Sequence, residues 1–313
     1  MPALFRAASR PPVRCSHGSE AYPTVARPTA NQALAVILPW LLSIWACAWS
    51  ASAVAASPIT ELRAAWATAI ARRLSLPDDE GAAYAARLDV ALRSHGLTDL
   101  PPQFFVLVDR SPRVQAMFLY WGDSAAGLHP IGSAPCSTGK PGRYEYFETP
   151  LGVFPHTMAN PDFRAEGTLN DQGIRGYGIA GMRVFDFGWV TTPRGWGDRH
   201  LGQMRLQMHA TDPDALESRL GTACSKGCIR IPAEANVFID RLGILDADYD
   251  RALAEGRAVW QLRSDRTPTP WSGRYLVVVE STRAERPFWT MQPPVHRTGR
   301  PGWPAPARTR TKR

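Results

Sequence analysis

The chain of 313 residues is 44% hydrophobic and 20% charged, so it has enough apolar material for a folded core and is not a disordered protein. Its formal net charge is +8, but the positive excess lies at the two ends. Residues 57–282 carry 24 basic and 26 acidic side chains, which excludes the positive surface that nucleic-acid binding requires.

The first 56 residues have the order of a secretory signal peptide behind a long basic leader. Four arginines precede an apolar run, Ala33–Trp49, and small residues follow it, with Ala53-Val54-Ala55 fitting the cleavage pattern. A single membrane anchor is the alternative, because the run is only slightly shorter than the roughly 20 residues that span a bilayer. Both interpretations predict an exported protein of the periplasm or cell envelope, and the first predicts cleavage near Ala55.

The section after the leader, residues 57–100, predicts two short helices. Trp66, Ile70 and Leu74 recur at three-to-four spacing, and Pro77-Asp78-Asp79 is a typical start of a second helix. We expect this helical section to pack against the main domain.

From residue 103 the sequence predicts strands, so the fold class is mainly β with flanking helices. Short apolar segments separated by Gly, Pro and Asp favour a mainly antiparallel sandwich or barrel over residues 103–263. Helices are predicted at Asp212–Leu220 and from Pro232, and a strand at residues 258–263. A closing strand, R-Y-L-V-V-V-E, is predicted within residues 264–282.

Residues 283–313 form a tail with six prolines and eight basic side chains. This composition predicts disorder. The positive charge favours weak contact with anionic wall polymers or a membrane surface, and a solvated tail without a partner is the alternative.

The segment S-K-G-C at residues 225–228 carries the candidate chemistry. A cysteine reacts as its thiolate, which is scarce at neutral pH unless a cation or a base is near. Lys226 and Arg230 flank Cys228, and His209 ends the predicted strand Q-M-R-L-Q-M-H. If that strand lies beside the cysteine loop, His209 supplies the base.

This arrangement resembles the L,D-transpeptidase family of bacterial cell-wall enzymes. The family motif is a histidine, a gap, then Ser/Thr-His-Gly-Cys, an apolar residue and Asn or Arg; here 15 residues separate His209 from Ser225-Lys226-Gly227-Cys228-Ile229-Arg230. The segments Ser137–Gly142 (S-T-G-K-P-G) and Glu148–Phe154 (E-T-P-L-G-V-F) are similar to the family's early motif. The resemblance covers about residues 103–263, and Lys226 departs from it by replacing the motif histidine.

The resemblance implies an L,D-transpeptidase-type sandwich with Cys228 as nucleophile and His209 as proton acceptor and donor. The amides of Gly227 and Cys228 would be the oxyanion donors, Ser225 and Arg230 would shape the pocket, and Lys226 would keep a positive charge for a substrate carboxylate. The implied substrate is a peptidoglycan stem tetrapeptide, which loses its terminal D-alanine and forms a thioester. An amine of a neighbouring stem then completes a 3-3 cross-link, whereas water gives L,D-carboxypeptidase activity. No cofactor is implied.

Two alternatives to a nucleophilic cysteine remain. Cys224, Cys228 and His209, with His200 as a fourth ligand, are candidates for a zinc site, although Cys-x3-Cys without a second pair is an unusual spacing. In the other alternative Cys228 and His209 are ordinary core residues, and the chain is a non-catalytic wall-binding module.

The sequence assigns no catalytic role to the remaining cysteines and histidines of the predicted domain. Cys136 and Cys224 each lie beside a candidate motif, so they either form a disulfide or are separate packing residues. His129 and His156 are expected to be surface or packing residues.

Overall fold

The structure is a computed structural model that describes residues 58–123 and 127–291. The predicted leader and its cleavage site, and the tail beyond residue 291, lie outside these ranges. No helix within them combines the length and the hydropathy needed to cross a bilayer. The helices of the described residues are α1 (Pro58–Ala69), α2 (Asp78–Ser94), α3 (Ala233–Leu242) and α4 (Ala247–Ala254).

The strands of the same residues form two sheets. They are β1 (Gln103–Asp109), β2 (Ala116–Asp123), β3 (Gly127–Pro135), β4 (Gly152–Pro155), β5 (Phe163–Arg164), β6 (Arg183–Pro193), β7 (Leu201–Ala210), β8 (Ile229–Ile231) and β9 (Tyr275–Val279). One sheet has the order β3-β2-β1-β9-β4, and the other has the order β5-β6-β7-β8. The predicted fold class, mainly β with flanking helices, is confirmed.

Each sheet contains one parallel pair, which the expectation of an antiparallel sandwich did not include. β1 lies antiparallel to β2 but parallel to β9. β7 lies antiparallel to β6 but parallel to β8. The second pair matters for function, because it aligns the end of β7 with the residues that begin β8.

The two sheets share one hydrophobic core. Alternate residues of β1 face opposite sides, so Val106 contacts the core shared with Leu206 and Ile229, while Phe105 faces α2. Helix α1 contributes Trp66 to the shared core, where its ring meets a phenylalanine of α3 edge to face. The two predicted N-terminal helices are therefore present and packed, as their apolar spacing indicated.

Two predicted elements are wrong. In place of a helix over Asp212–Leu220 the structure has turns and a 3-10 turn at Glu217–Arg219. The buried Asp212 carboxylate accepts the backbone N–H groups of Asp214 and Ala215, as a helix N-cap does, but no α-helix follows. Residues 258–263 form a turn instead of a strand, in which Trp260 is exposed and the carbonyl of Gln261 accepts a hydrogen bond from Arg164.

The first residues of the predicted tail are ordered, which corrects the expectation of disorder for residues 283–291. Trp289 is buried against the ring of Tyr84, with ring centroids 5.9 Å apart. Arg286 donates to the carbonyl of Gly221 at 2.6 Å, so this segment is fixed close to the loop that leads to the cysteine.

A buried ionic cluster connects the second sheet to the helices behind it. Arg183 is fully buried between the carboxylates of Asp162 and Asp246, at 2.5 and 2.8 Å. His156 is a packing residue of this cluster, with its ring nitrogens 2.7 Å from Leu245 O and 2.8 Å from Asp162 Oδ1. Both partners are acceptors, so both nitrogens carry hydrogen and the ring is an imidazolium. His129, by contrast, stacks on the ring of Trp121, with centroids 6.1 Å apart.

Candidate active site

The parallel pairing of β7 with β8 brings His209 and Cys228 to the same face of the second sheet. The register aligns Met208 with Ile229 and His209 with Arg230, so Cys228 lies beside Gln207. Side chains alternate along a strand, and cross-strand neighbours share a face. Met208 and Ile229 are fully buried in the core, which leaves the other face to the two candidate catalytic residues.

His209 is held as a neutral base. Its Nδ1 lies 2.8 Å from the carbonyl oxygen of Ala210, and a carbonyl only accepts, so Nδ1 carries the hydrogen and Nε2 is free to accept one. Burial lowers the pKa of His209 to about 4, and the charge of Arg230 acts in the same direction. The imidazole is therefore uncharged at neutral pH.

The surroundings of Cys228 favour the protonated thiol. Its Sγ lies 3.8 Å from the carbonyl oxygen of Arg205. Burial raises the pKa of the thiol above its usual range, although the backbone N–H of Gln207 and the charge of Arg230 oppose the increase. The expected thiolate is thus not favoured at rest, because desolvation outweighs the nearby positive charge.

Lys226, the other cation expected to activate the sulfur, is paired with a carboxylate instead. Lys226 is exposed, and its Nζ lies 2.9 Å from Glu145 Oε2. Arg230 is held differently, since its backbone exchanges two hydrogen bonds with Ser137, at 2.8 and 2.9 Å. Of the two basic residues that flank Cys228, only Arg230 acts electrostatically on both Cys228 and His209.

Ser225 fixes the turn that precedes the cysteine. Its buried hydroxyl donates to Cys228 O at 2.5 Å and accepts the N–H of Gly227 at 3.0 Å. Gly227 has φ +134°, and a Cβ there would lie 2.7 Å from Met204 Sδ, so only glycine fits. The Gly227 N–H, expected to bind an oxyanion, is occupied by Ser225, while the Cys228 N–H is directed at its own sulfur.

The early motif contacts this turn directly. Thr149 Oγ1 donates to Gly227 O at 2.6 Å and accepts the N–H of Gly139 at 2.9 Å. Ser225 N–H donates to Thr138 O, and Lys140 N–H donates to Ser225 O, both at 3.0 Å. The segments Ser137–Gly142 and Glu148–Phe154, although distant in sequence from the cysteine, therefore form the wall of its loop.

Tyr177 and Asp186 also belong to the site, and the sequence analysis did not identify them. The ring of Tyr177 stands edge to face on His209, with centroids 4.7 Å apart, and its phenol interacts electrostatically with Cys228. The buried Asp186 accepts from Arg205 Nε at 2.7 Å and Gln207 Nε2 at 2.8 Å, which holds two residues of the same face. An acidic residue inside the apolar strand F-D-F was the available signal for Asp186; nothing in the sequence singles out Tyr177.

A cavity of about 340 Å³ opens beside this tyrosine. Two segments line it, Phe163–Thr168 and Gly176–Gly178. Neither His209 nor Cys228 lines the cavity, and Tyr177 is the lining residue that also contacts His209.

The geometry of the described residues does not favour the zinc alternative. They contain no group of three or more His, Cys, Asp or Glu side chains placed to hold a metal ion. His200 precedes the first residue of β7, and its Nδ1 lies 3.2 Å from Asp198 Oδ2. Nine residue-to-residue steps of extended chain lead from it to His209, roughly 30 Å at about 3.3 Å per step. Cys136 is buried, Cys224 and Cys228 are half-buried, and all three are free thiols.

Comparison with known proteins adds little to this site. No protein-family model matches the sequence, and no curated protein matches it. Among solved structures, the chain is similar to the helical cell shape determining protein Pgp2 from Campylobacter jejuni, with 14% identity and a TM-score of 0.28. That similarity covers 62% of this chain and 54% of the other, so the chain spans about half the length of Pgp2. A match at this level carries no argument about fold or function.

Proposed function

We propose that the protein is an exported cysteine acyltransferase of the L,D-transpeptidase type, which acts on peptidoglycan stem peptides. The observation that carries the proposal is the common face of His209 and Cys228, with the His209 Nδ1 hydrogen bound to Ala210 O. This leaves Nε2 as the proton acceptor that a cysteine nucleophile needs. Export follows from the predicted leader.

The uncharged states of the Cys228 thiol and the His209 imidazole determine the order in which protons move. As Cys228 Sγ attacks the carbonyl carbon of the diamino acid, its proton moves to His209 Nε2. Collapse of the tetrahedral intermediate expels the amine of the terminal D-alanine, which takes that proton and leaves a thioester. The acceptor amine then gives a proton to His209 as it attacks, and the released sulfur takes the proton back.

Binding of the intermediate requires a small change in the turn. The Gly227 N–H is bound to Ser225 Oγ at 3.0 Å, so it becomes an oxyanion donor only if it leaves this hydroxyl. The positive charge of Arg230 opposes the rise in the pKa of Cys228. It also stabilises negative charge that develops beside the sulfur.

The cavity beside Tyr177 is suited to hold the donor stem peptide. Most of its lining residues are small, Phe163 and Tyr177 are aromatic, and the exposed Glu166 offers a carboxylate for the amino group of a diamino acid. A peptide that extends from this cavity passes Tyr177 and reaches the sulfur.

The test is incubation of the protein with a disaccharide tetrapeptide, followed by mass spectrometry, with Cys228→Ala and His209→Ala alongside. We expect cross-linked dimer from the unaltered protein and unchanged substrate from both variants. Tripeptide without dimer would assign L,D-carboxypeptidase activity to the same pair. Unchanged substrate with the unaltered protein would refute the enzyme and favour a wall-binding module.

A further inference from the structure

A cluster of exposed and half-buried aromatic and basic side chains borders the cysteine loop. We name it the aromatic patch, and it consists of Arg143, Tyr144, Tyr146, Phe147, Arg194 and Trp196. Tyr144 is 75% exposed, which is unusual for a large aromatic side chain that no core residue requires.

Backbone hydrogen bonds fix the aromatic patch to the catalytic loop. Phe147 N–H donates to Lys226 O at 3.0 Å, two residues before Cys228. Gly195 N–H donates to Tyr146 O at 2.7 Å, and Phe147 pairs with Arg194 as an isolated antiparallel bridge. The patch is therefore a rigid surface at the edge of the site.

The rings pack on one another and on the neighbouring cations, and Tyr144 is the most exposed of them. Trp196 meets Tyr144 and Phe147 edge to face, with centroids 5.5 and 4.9 Å away. Arg194 lies 5.8 Å from the centroid of Trp196, and Arg143 lies 6.0 Å from that of Tyr146. Aromatic faces are electron-rich, so they attract cations and the C–H bonds on the flat side of a sugar ring.

Within the part of the chain that the structure describes, basic side chains without an ion-pair partner outnumber such acidic ones in and around the aromatic patch. Two acidic residues of this region are paired with cations, Glu145 with Lys226 and Glu148 with Arg199, and Asp198 lies 3.2 Å from His200 Nδ1. Among the described residues, no carboxylate forms an ion pair with Lys140, Arg143 or Arg194. The surface is thus complementary to a ligand that carries carboxylates.

We propose that the aromatic patch binds the amino-sugar backbone of a glycan strand. Pyranose rings stack on Tyr144 and Trp196, and Arg143 and Arg194 pair with carboxylates of the attached peptides. The proposal rests on the proposed function, because that function places a stem peptide of such a strand at Cys228. A bilayer is the weaker match, since anionic headgroups would pair with the arginines but offer no ring for the exposed Tyr144 to stack on.

The experiment compares binding to the Cys228→Ala protein by calorimetry, which avoids turnover. The probes are a disaccharide tetrapeptide, the free tetrapeptide and the neutral tetramer of N-acetylglucosamine. We expect the disaccharide to improve affinity about tenfold over the free tetrapeptide, and the substitution Tyr144→Ala to remove this gain and to weaken tetramer binding. Trp260→Ala is the matched control, because Trp260 is 69% exposed outside the patch.

Thermal melting of each variant verifies that it folds. Equal affinity for the two peptide probes, or an equal loss in Trp260→Ala, would overturn the inference. The inference would also be overturned if phosphatidylglycerol vesicles bound in a way that depended on Tyr144 and displaced the sugar.

The outcomes separate the two proposals. Sugar binding through Tyr144 by a protein that leaves the tetrapeptide unchanged would support the patch and refute the enzyme. Turnover without any contribution from the sugar would do the opposite.

Discussion

The protonation state of Cys228 predicts how its alkylation depends on pH. Burial raises the pKa of the thiol and lowers that of His209 to about 4, so the resting pair is a thiol beside a neutral imidazole. A preformed thiolate–imidazolium pair would require the opposite order of the two pKa values. The reaction of Cys228 with iodoacetamide, which needs only the thiolate, distinguishes the two states.

The expected magnitude follows from the direction of the shift. An unperturbed thiol, with a pKa of about 8.5, is about 3% ionised at pH 7, so Cys228 is ionised less than that. Its alkylation rate should rise about tenfold per pH unit, or about 100-fold from pH 6 to 8. An ion pair would instead give a constant rate over this range.

The rates are measured by mass spectrometry of the peptide that contains Cys228, which separates its label from those on Cys136 and Cys224. The substitution His209→Ala should leave the slope nearly unchanged, because thiolate alkylation needs no base, while it abolishes turnover of the tetrapeptide. A rate that stays level between pH 5 and 8 in the unaltered protein would refute the neutral pair.

Three further predictions concern the residues that hold the site. Gly227→Ala should destabilise the protein by about 2 kcal/mol more than Gly142→Ala in urea unfolding, because both have positive φ but only Gly227 has a neighbour, Met204, in the way of a Cβ; equal losses would contradict the steric argument. Ser225→Ala should lower the free energy of unfolding by about 2–4 kcal/mol, since Gly227 N–H and Cys228 O both lose a buried partner; a loss below about 1 kcal/mol would show that water replaces the hydroxyl. His156 has a raised pKa, mainly because Asp162 opposes its desolvation, so its stabilisation is complete below about pH 6.5 and is lost as pH rises through the folded pKa. Thermal melts should therefore show that the difference between the unaltered protein and His156→Gln shrinks toward alkaline pH, and a difference that grows would contradict the imidazolium.

The sequence was most informative where the evidence was local. The spacing of Trp66 and Ile70 predicts a helix because a helical period needs no distant partner, and α1 carries both residues into the core. The strand Q-M-R-L-Q-M-H alternates, and β7 ends one residue beyond His209. The apolar partners of that alternation, Leu206 and Met208, are fully buried in the core, which turns His209 to the other face of the sheet.

The two incorrectly predicted elements depend on contacts with residues that are distant in the sequence. The segment at residues 258–263 has strand-like composition, but strands require a sheet edge, and here its backbone is bound by Arg164 instead. Asp212 reads as the start of a helix, yet its carboxylate also accepts the N–H of Arg175, which lies 37 residues earlier. The buried cluster of Arg183, Asp162 and Asp246 is invisible for the same reason, because charge pairing depends on the fold.

The protonation state of the cysteine was also beyond the sequence, and it changes how the site is understood. Lys226 and Arg230 beside Cys228 suggested an activated thiolate, but Lys226 is paired with Glu145 and burial dominates the pKa of the sulfur. A resting thiolate is the form that oxidants attack. In the oxidising compartment proposed for this protein, a half-buried thiol that stays protonated reacts more slowly with oxidants than a thiolate, until the carbonyl carbon of a substrate lies beside it. His209 is a neutral acceptor and takes the proton of Cys228 when the sulfur attacks the substrate. The desolvation that raises the pKa of the thiol therefore slows alkylation and also restricts the reactivity of the sulfur to a bound substrate.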